Sequence, residues 1–589
     1  MNIVKRDKQK KKDIAFLLGL LAGFFFLLWK SKYGTGAYDE PFYLTIPHRI
    51  VNGDGMFSEE WNFGQFSSFL MLPLMKVYLL ITGTTEGIVL NFRYIYIVFQ
   101  AVCSLVLYVR LRKKELAWVG AWMFFLFTPF DIMALSYNTM GVACITLVGA
   151  ILATAKKNAT GAWVVSGVLF GAAVLCNPFL AIVYFLYSLA VAFSGFRQRR
   201  SGVWNKRERG EETEEMVGSE TILGGKAWLC ITAGAGGLAL LFAIAVLWHS
   251  PVSELLENIP LLINDPEHTS RSVVMIVKVY LSEFWRVFGF FIPVWIVFLF
   301  MAFCFRKNSL NRKLCFILLC FSAAVSVLGF IPTIQNSYNF IMVPVAVCGL
   351  GAYLMTEEKD KQSFFYFFVF GLVYSFMANY ASNQGMHAIS MAMLPADVAA
   401  VLFIGRFVEQ EREVKEDGSQ KRSDRALKAG VTITVVLLFA VQFGMQIYTK
   451  TVHTFWEEPV WKLDTRITEG PLKGTVTTEE KAEEYQVKLE DIRTHLKKDG
   501  PVLFATKDTW CYLYADGDYA TFSSYLSGGL EQAAERWEVY YKVHPEKIPY
   551  YIYVPKENSE EWAAQIQQKA EEYGYRAEES GQAYHLYKK

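Results

Sequence analysis

The chain has 589 residues, 53% of them hydrophobic and 16% aromatic, and its mean hydropathy is +0.24. That composition excludes an ordinary soluble domain, in which apolar and charged residues are more evenly matched. The formal net charge of +2 offers no electrostatic basis for binding nucleic acid.

In chain order, a lysine-rich N-terminus (residues 5–12) leads into an apolar run over 14–31. No small-x-small cleavage site follows Trp29-Lys30, so the run reads as a retained first helix and not a signal peptide. About twenty apolar residues are needed to cross a bilayer. On that criterion about thirteen spans are expected, near 14–31, 87–109, 116–132, 139–155, 160–176, 178–196, 227–248, 286–305, 314–334, 338–355, 363–380, 388–407 and 429–449. The stretch 66–82 is apolar as well, but Pro73 and Lys76 interrupt it, and it reads as a helix lying at the membrane surface.

Basic clusters at 5–12, 110–114, 197–209, 306–313 and 406–428 fall on alternate loops. The positive-inside rule puts them in the cytoplasm together with Met1, and places the loop 33–86 and the segment after 449 outside. The expected location is therefore a cytoplasmic (plasma) membrane. All cysteines except Cys511 lie in expected spans, and no CxxC or Cys/His cluster occurs, so neither a disulfide framework nor a structural zinc site is implied. The fold class is thus a polytopic α-helical membrane protein, with a membrane domain over 1–449 and a small extracytoplasmic α/β domain over 450–589. The second follows from strand-like 502–505, 550–554 and 583–587 alternating with helix-like 531–542 and 560–572, after a charged helix near 479–497.

Residues able to do chemistry concentrate in the loop 33–86. Asp39 and Glu40 stand side by side just beyond the first span, a costly position for two charges unless they serve a purpose. Pro41 suits the first position of a helix running to about Ile50, with Glu40 at its cap. The helix N-terminus favours an ionised carboxylate, which can take a proton from a hydroxyl or help hold a divalent cation. The same residues would serve equally as an ordinary helix cap. His48, Arg49, Trp61 and Gln65 add the mixture of aromatic and polar groups that suits a sugar. Arg93 stands at the outer end of the second span, with Arg271, Lys278 and Arg286 around a later outer loop, where each would serve equally as a cation at headgroup level. Asp131, after Thr128-Pro129-Phe130, can cap a turn, and Tyr338 lies in a polar outer turn.

The run Asp39-Glu40-Pro41-Phe42-Tyr43-Leu44 through Pro47-His48-Arg49 and Gly53-Asp54, then Leu90-Asn91-Phe92-Arg93, resembles the first-loop pattern of the GT-C glycosyltransferases. That family includes the protein O-mannosyltransferases and the aminoarabinose transferases of lipid A. Agreement of motif is confined to about 38–93, and the proline-rich run expected after the acids is replaced by Leu72-Pro73-Leu74. The resemblance implies transfer of a sugar, with inversion, from a polyprenyl-phosphate carrier to a hydroxyl of a glycan, lipid or protein outside the membrane. Asp39 would be the base or a metal ligand, and Glu40 would bind substrate hydroxyls. Arg93 would meet the leaving phosphate, ahead of Arg271, Lys278 and Arg286, and Asp131 would complete a metal or acceptor site with Asp39. A divalent metal ion is the one cofactor the resemblance admits. A transporter or lipid flippase is the competing class, in which the acids would bind a coupling cation or a headgroup.

Overall fold

A computed structural model describes the chain except residues 1, 157–158, 201–223, 264–271, 414–421, 497–499, 526–529, 558–559 and 589. Among the described residues, eight helices are long and apolar enough to cross a membrane, or up to ten if each of two bent pairs is one span. Large apolar side chains stand exposed along them, including Leu18, Phe25, Val274 and Phe300. Only a lipid surround makes so much exposed apolar area tolerable, and the chain is a multi-pass membrane protein. The thirteen expected spans map onto seven of the long helices, both bent pairs, three shorter apolar helices and Ala117–Leu126.

Two expectations about these helices meet the structure differently. The span expected at 116–132 is helical only over Ala117–Leu126. Pro129 disfavours the helical conformation at Thr128, and the chain turns extended at Phe127. Phe130 and Asp131 then both take positive φ, 54° and 57°. The stretch 66–82 satisfies the length test for a span. Yet Trp61 N donates to Phe522 O before it, and Thr85 Oγ1 donates to Leu513 O after it, at 2.8 and 2.7 Å. Both ends therefore touch the same C-terminal domain. It is broken into Gln65–Ser68, Phe69–Met71 and Leu72–Thr82, with Leu80 and Ile81 exposed.

The C-terminal domain carries a two-stranded ribbon, β1 (Thr465–Arg466) with β2 (Val476–Thr477), and a four-stranded sheet. The sheet is built from β3 (Val502–Phe504), β4 (Tyr551–Pro555), β5 (Tyr575–Glu579) and β6 (Ala583–Lys588) in the order β3-β4-β6-β5. Only β3 and β4 are parallel, and helix Leu530–Val543 lies between them in the chain. Side chains alternate across the pleat. Val502, Phe504, Tyr551 and Tyr553 face helix Glu479–His495 and the outer rim of the helical bundle, sharing a core with Leu489, Ile492, Ile88 and Phe92. Leu503, Ile552, Val554 and Leu586 pack on the other side against Trp537, Trp562 and Trp61. The first loop is thus built into both cores of this domain.

Candidate functional site

Three cations and two carboxylates converge where the outer ends of the first, second and last spanning helices meet. Helix Asp39–Val51 begins with both acids in its first turn. The chain reaches it through Gly34 and Gly36, with φ of 80° and 78°, values that strain any residue with a Cβ. A Cβ at Gly36 would also sit 2.5 Å from Glu40 Oε2, so glycine is required there twice over.

Glu40 is buried and its two oxygens are committed. Arg93 Nε donates to Oε2 at 2.5 Å, and Met133 N donates to Oε1 at 2.8 Å. Arg93 also donates through Nη1 to Ser31 O and Gly34 O, at 2.7 and 2.8 Å. Arg93 neutralises Glu40 and meets the carbonyls at the end of the first helix, and each Glu40 oxygen already accepts one hydrogen bond.

Asp131 is equally engaged. Lys450 Nζ donates to Oδ1 at 3.1 Å and to Thr128 Oγ1 at 2.6 Å, while His453 Nδ1 lies 3.3 Å from Oδ2. Burial pushes the Asp131 carboxyl up, but Lys450 and Lys30 outweigh it and hold the group well below the usual carboxylate range. Two consecutive non-glycine residues with positive φ hold this carboxylate in place, strain of a kind that collects at functional sites.

Lys30 completes the cluster and is the odd member. It is 3% exposed, and its ammonium makes no hydrogen bond or ion pair among the described residues. It lines a small cavity with Arg93, Glu40, Asp131, Met133, Thr454 and Phe455. The cluster thus sets three basic side chains, Lys30, Arg93 and Lys450, against two acids, and the two ion pairs Arg93–Glu40 and Lys450–Asp131 leave Lys30 over. A divalent cation does not fit these donors. Asp131 already has Lys450 on one oxygen and the His453 ring on the other, and Lys30 and Arg93 line the same cavity.

Asp39 faces a different environment. It is half-buried, and Tyr525 of the C-terminal domain donates its hydroxyl to Oδ1 at 3.0 Å. Burial raises its carboxyl above the ordinary value and Glu40 adds to this, with the Tyr525 hydrogen bond opposing. Tyr43 and Tyr338 both feel the Asp39 charge. Phe42 packs on Tyr525 with ring centroids 4.6 Å apart, and Tyr43 meets Tyr137 edge to face at 5.6 Å. Tyr338 stacks on His453 at 4.0 Å and so links the Asp39 environment to the Asp131 cluster. The result is one ionisable carboxylate in an aromatic cleft beside an electropositive cavity.

His48, Arg49, Trp61 and Gln65, expected to bind substrate, are instead buried between the first loop and the C-terminal domain. His48 lies 3.1 Å from the Tyr519 hydroxyl and 3.0 Å from Asp516 Oδ1. Arg49 pairs with Asp54 and with Glu60, and donates to Thr521 O, Glu59 O and the Tyr540 hydroxyl. Trp61 stacks on Phe522, and Gln65 donates to Glu60 O while accepting from Phe57 N. Every donor of the Arg49 guanidinium is spent, so these four residues fasten two parts of the chain together. Of the lesser cationic candidates, Arg286 pairs with Glu283, Lys278 is exposed, and Arg271 lies outside the described residues. Sequence reading missed Lys30, Lys450, His453 and Tyr525. The first three sit at span ends, where a cation ordinarily snorkels to the headgroups, and nothing local marks Tyr525.

No family model matches the chain, and no curated protein does. Among solved structures, the archaeal oligosaccharyltransferase AglB from Archaeoglobus fulgidus, in complex with an inhibitory peptide and a dolichol-phosphate, is similar at TM-score 0.47 and 12% identity. The match covers 98% of this chain and 74% of that one. ArnT from Cupriavidus metallidurans bound to undecaprenyl phosphate is similar at TM-score 0.44 and 10% identity, over 97% of each chain.

Proposed function

We propose that the protein transfers a sugar from a polyprenyl-phosphate carrier to an acceptor hydroxyl, at the membrane face that carries the first loop and the C-terminal domain. The observation that carries this reading is the buried amino group of Lys30, without a hydrogen-bond partner among the described residues, lining a cavity with Arg93, Asp131 and Glu40, the sequence neighbour of Asp39. A buried polar group without a partner is costly, and a phosphate oxygen reaching it would satisfy it.

In the proposed reaction Asp39 accepts the proton of the acceptor hydroxyl as its oxygen attacks the anomeric carbon. The bond from that carbon to the phosphate oxygen breaks, and the electron pair leaves with the lipid phosphate. Lys30 and Lys450 stabilise the charge that the phosphate regains. Attack opposite the leaving group inverts the anomeric configuration. Tyr43, Tyr338 and Tyr525 offer hydroxyls and ring faces to the sugar. No step is routed through a metal, since the donor set does not suit one.

The test is mass spectrometry of cell-envelope glycans, lipids and proteins from cells carrying the wild-type gene or Asp39→Asn at matched protein levels. The expected result is an envelope component that loses the mass of one sugar residue in the variant. Identical envelopes would remove the support for this function.

A further inference from the structure

We propose that Asp491, His495 and His585 form a binding site for a divalent transition-metal ion, zinc by donor type, on the C-terminal domain. Asp491 and His495 stand four residues apart on helix Glu479–His495, which brings both to one face near its end. His585 comes from β6, ninety residues further along the chain from His495, and its side chain is fully buried. The two imidazoles stack at 3.7 Å with 13° between their planes. The Asp491 carboxylate spans them, with Oδ1 3.3 Å from His495 Nδ1 and Oδ2 3.2 Å from His585 Nε2.

The donor separations match a metal shell, and the His495 ring, which lies parallel to that of His585, would turn on binding so that both in-plane lone pairs meet one ion. Zinc bonds to nitrogen and oxygen of about 2.0–2.2 Å place neighbouring tetrahedral ligands roughly 3.3–3.6 Å apart. All three donor atoms lie within 4.8 Å of one another. The far nitrogen of His585, Nδ1, is 2.8 Å from the Tyr551 hydroxyl of β4, which fixes the ring as the outer partner of a metal-bound histidine does. Ser580 Oγ lies 3.0 Å from Asp491 Oδ2 and 3.1 Å from His585 Nε2, along a further edge of the same site. His495 is partly exposed, which leaves a route in and a fourth position for water.

Two imidazoles with one carboxylate suit zinc and its neighbours, whereas calcium and magnesium prefer oxygen donors throughout. His495 Nδ1 also lies 2.8 Å from the Asp491 carbonyl oxygen, a contact that ion binding would replace. The bound ion would tie the helix that covers one face of the sheet to β6, between β4 and β5. A hydrogen-bonded His–Asp–His stack without metal is the competing use of the same residues.

The test uses the detergent-purified full chain, stripped with chelator, dialysed against low-micromolar zinc, separated from free ion and analysed for metal per chain. Wild type is expected to retain one zinc more than Asp491→Asn or His495→Asn, and only wild type should gain melting temperature with zinc, read by tryptophan fluorescence. His495 is partly exposed, so its variant is the one best placed to stay folded, and a cooperative melt verifies this. Equal zinc in wild type and both folded variants, or no zinc on folded wild type, overturns the proposal and leaves the hydrogen-bonded stack.

Discussion

Asp39 and Glu40 are neighbours in sequence and yet end in opposite circumstances. Glu40 is locked to Arg93 and Met133 N, while Asp39 keeps one oxygen on Tyr525 and stands partly open. The division follows from helical geometry, because adjacent residues point about 100° apart. It also fixes a pH dependence. A base must be deprotonated, so activity should rise with pH through the Asp39 pKa, which burial holds above the ordinary carboxylate value. The Tyr525 hydroxyl favours the ionised form, so Tyr525→Phe should raise that pKa further. The acidic limb of the rate–pH profile is expected to move to higher pH in Tyr525→Phe, with the alkaline limb unmoved. A limb that stays in place would show that Asp39 does not set it. At this scale the sequence was half legible: adjacent acids beyond a span marked the site, but which of them was free depended on Arg93 reaching back to the first helix.

The loop 33–86 acts as a mortar joint between bundle and C-terminal domain. Arg49 is its centre, 1% exposed and bonded to acids of its own loop and to carbonyl and hydroxyl groups of the partner domain. Lys547 reaches from the other side to Asp54 and Glu59, at 2.6 and 3.0 Å. Truncating Arg49 would leave Glu60 buried without its partner. Arg49→Ala should therefore destabilise the docked domain by about 3–5 kcal/mol, read as earlier proteolysis of the C-terminal domain in a temperature series. Unchanged protease resistance would mean that the apolar contacts of Trp61 and Phe522 suffice alone. Element identity was readable in this region and purpose was not. Polar residues among aromatics look the same in a sugar site and in a buried domain interface, and only the fold shows their donors already satisfied.

At the level of the whole molecule, contacts fix which parts share a side. Basic clusters pair with acids of neighbouring loops, as in Lys12 with Glu115 and Arg406 with Glu358, at helix ends remote in the chain from the Lys30 cluster. The first loop and the C-terminal domain share the opposite end. Single cysteines in place of the exposed residues Asn52 and Thr84, which flank the 65–82 stretch, should react with an impermeant thiol reagent from the same side of sealed cells, and one at exposed Lys113 should not. Reaction of Asn52→Cys and Thr84→Cys from opposite sides would make the stretch a true span. Hydropathy revealed most spanning helices because lipid exposure leaves a strong apolar signature. It overextended the one at 116–132, where apolar Phe127, Phe130 and Ile132 line a turn within the protein. The charged cluster was legible only in part: Glu40, Arg93 and Asp131 stood out singly, Lys30 and Lys450 look like ordinary cations at span ends, and only the closed bundle gathers the five.

The most direct measurement is release of lipid phosphate and transfer of label by the purified full chain, supplied with sugar-labelled polyprenyl-phosphate donors and envelope extract as acceptor. Wild type should release one lipid phosphate per sugar transferred. Asp39→Asn should lose about 10²–10⁴-fold in rate. Lys30→Met should lose donor-dependent activity while melting no earlier than wild type, because the change removes a buried amino group that has no partner among the described residues. Wild-type rates in both variants, with the proteins folded, would contradict the assignment of base and phosphate partner on which the account rests.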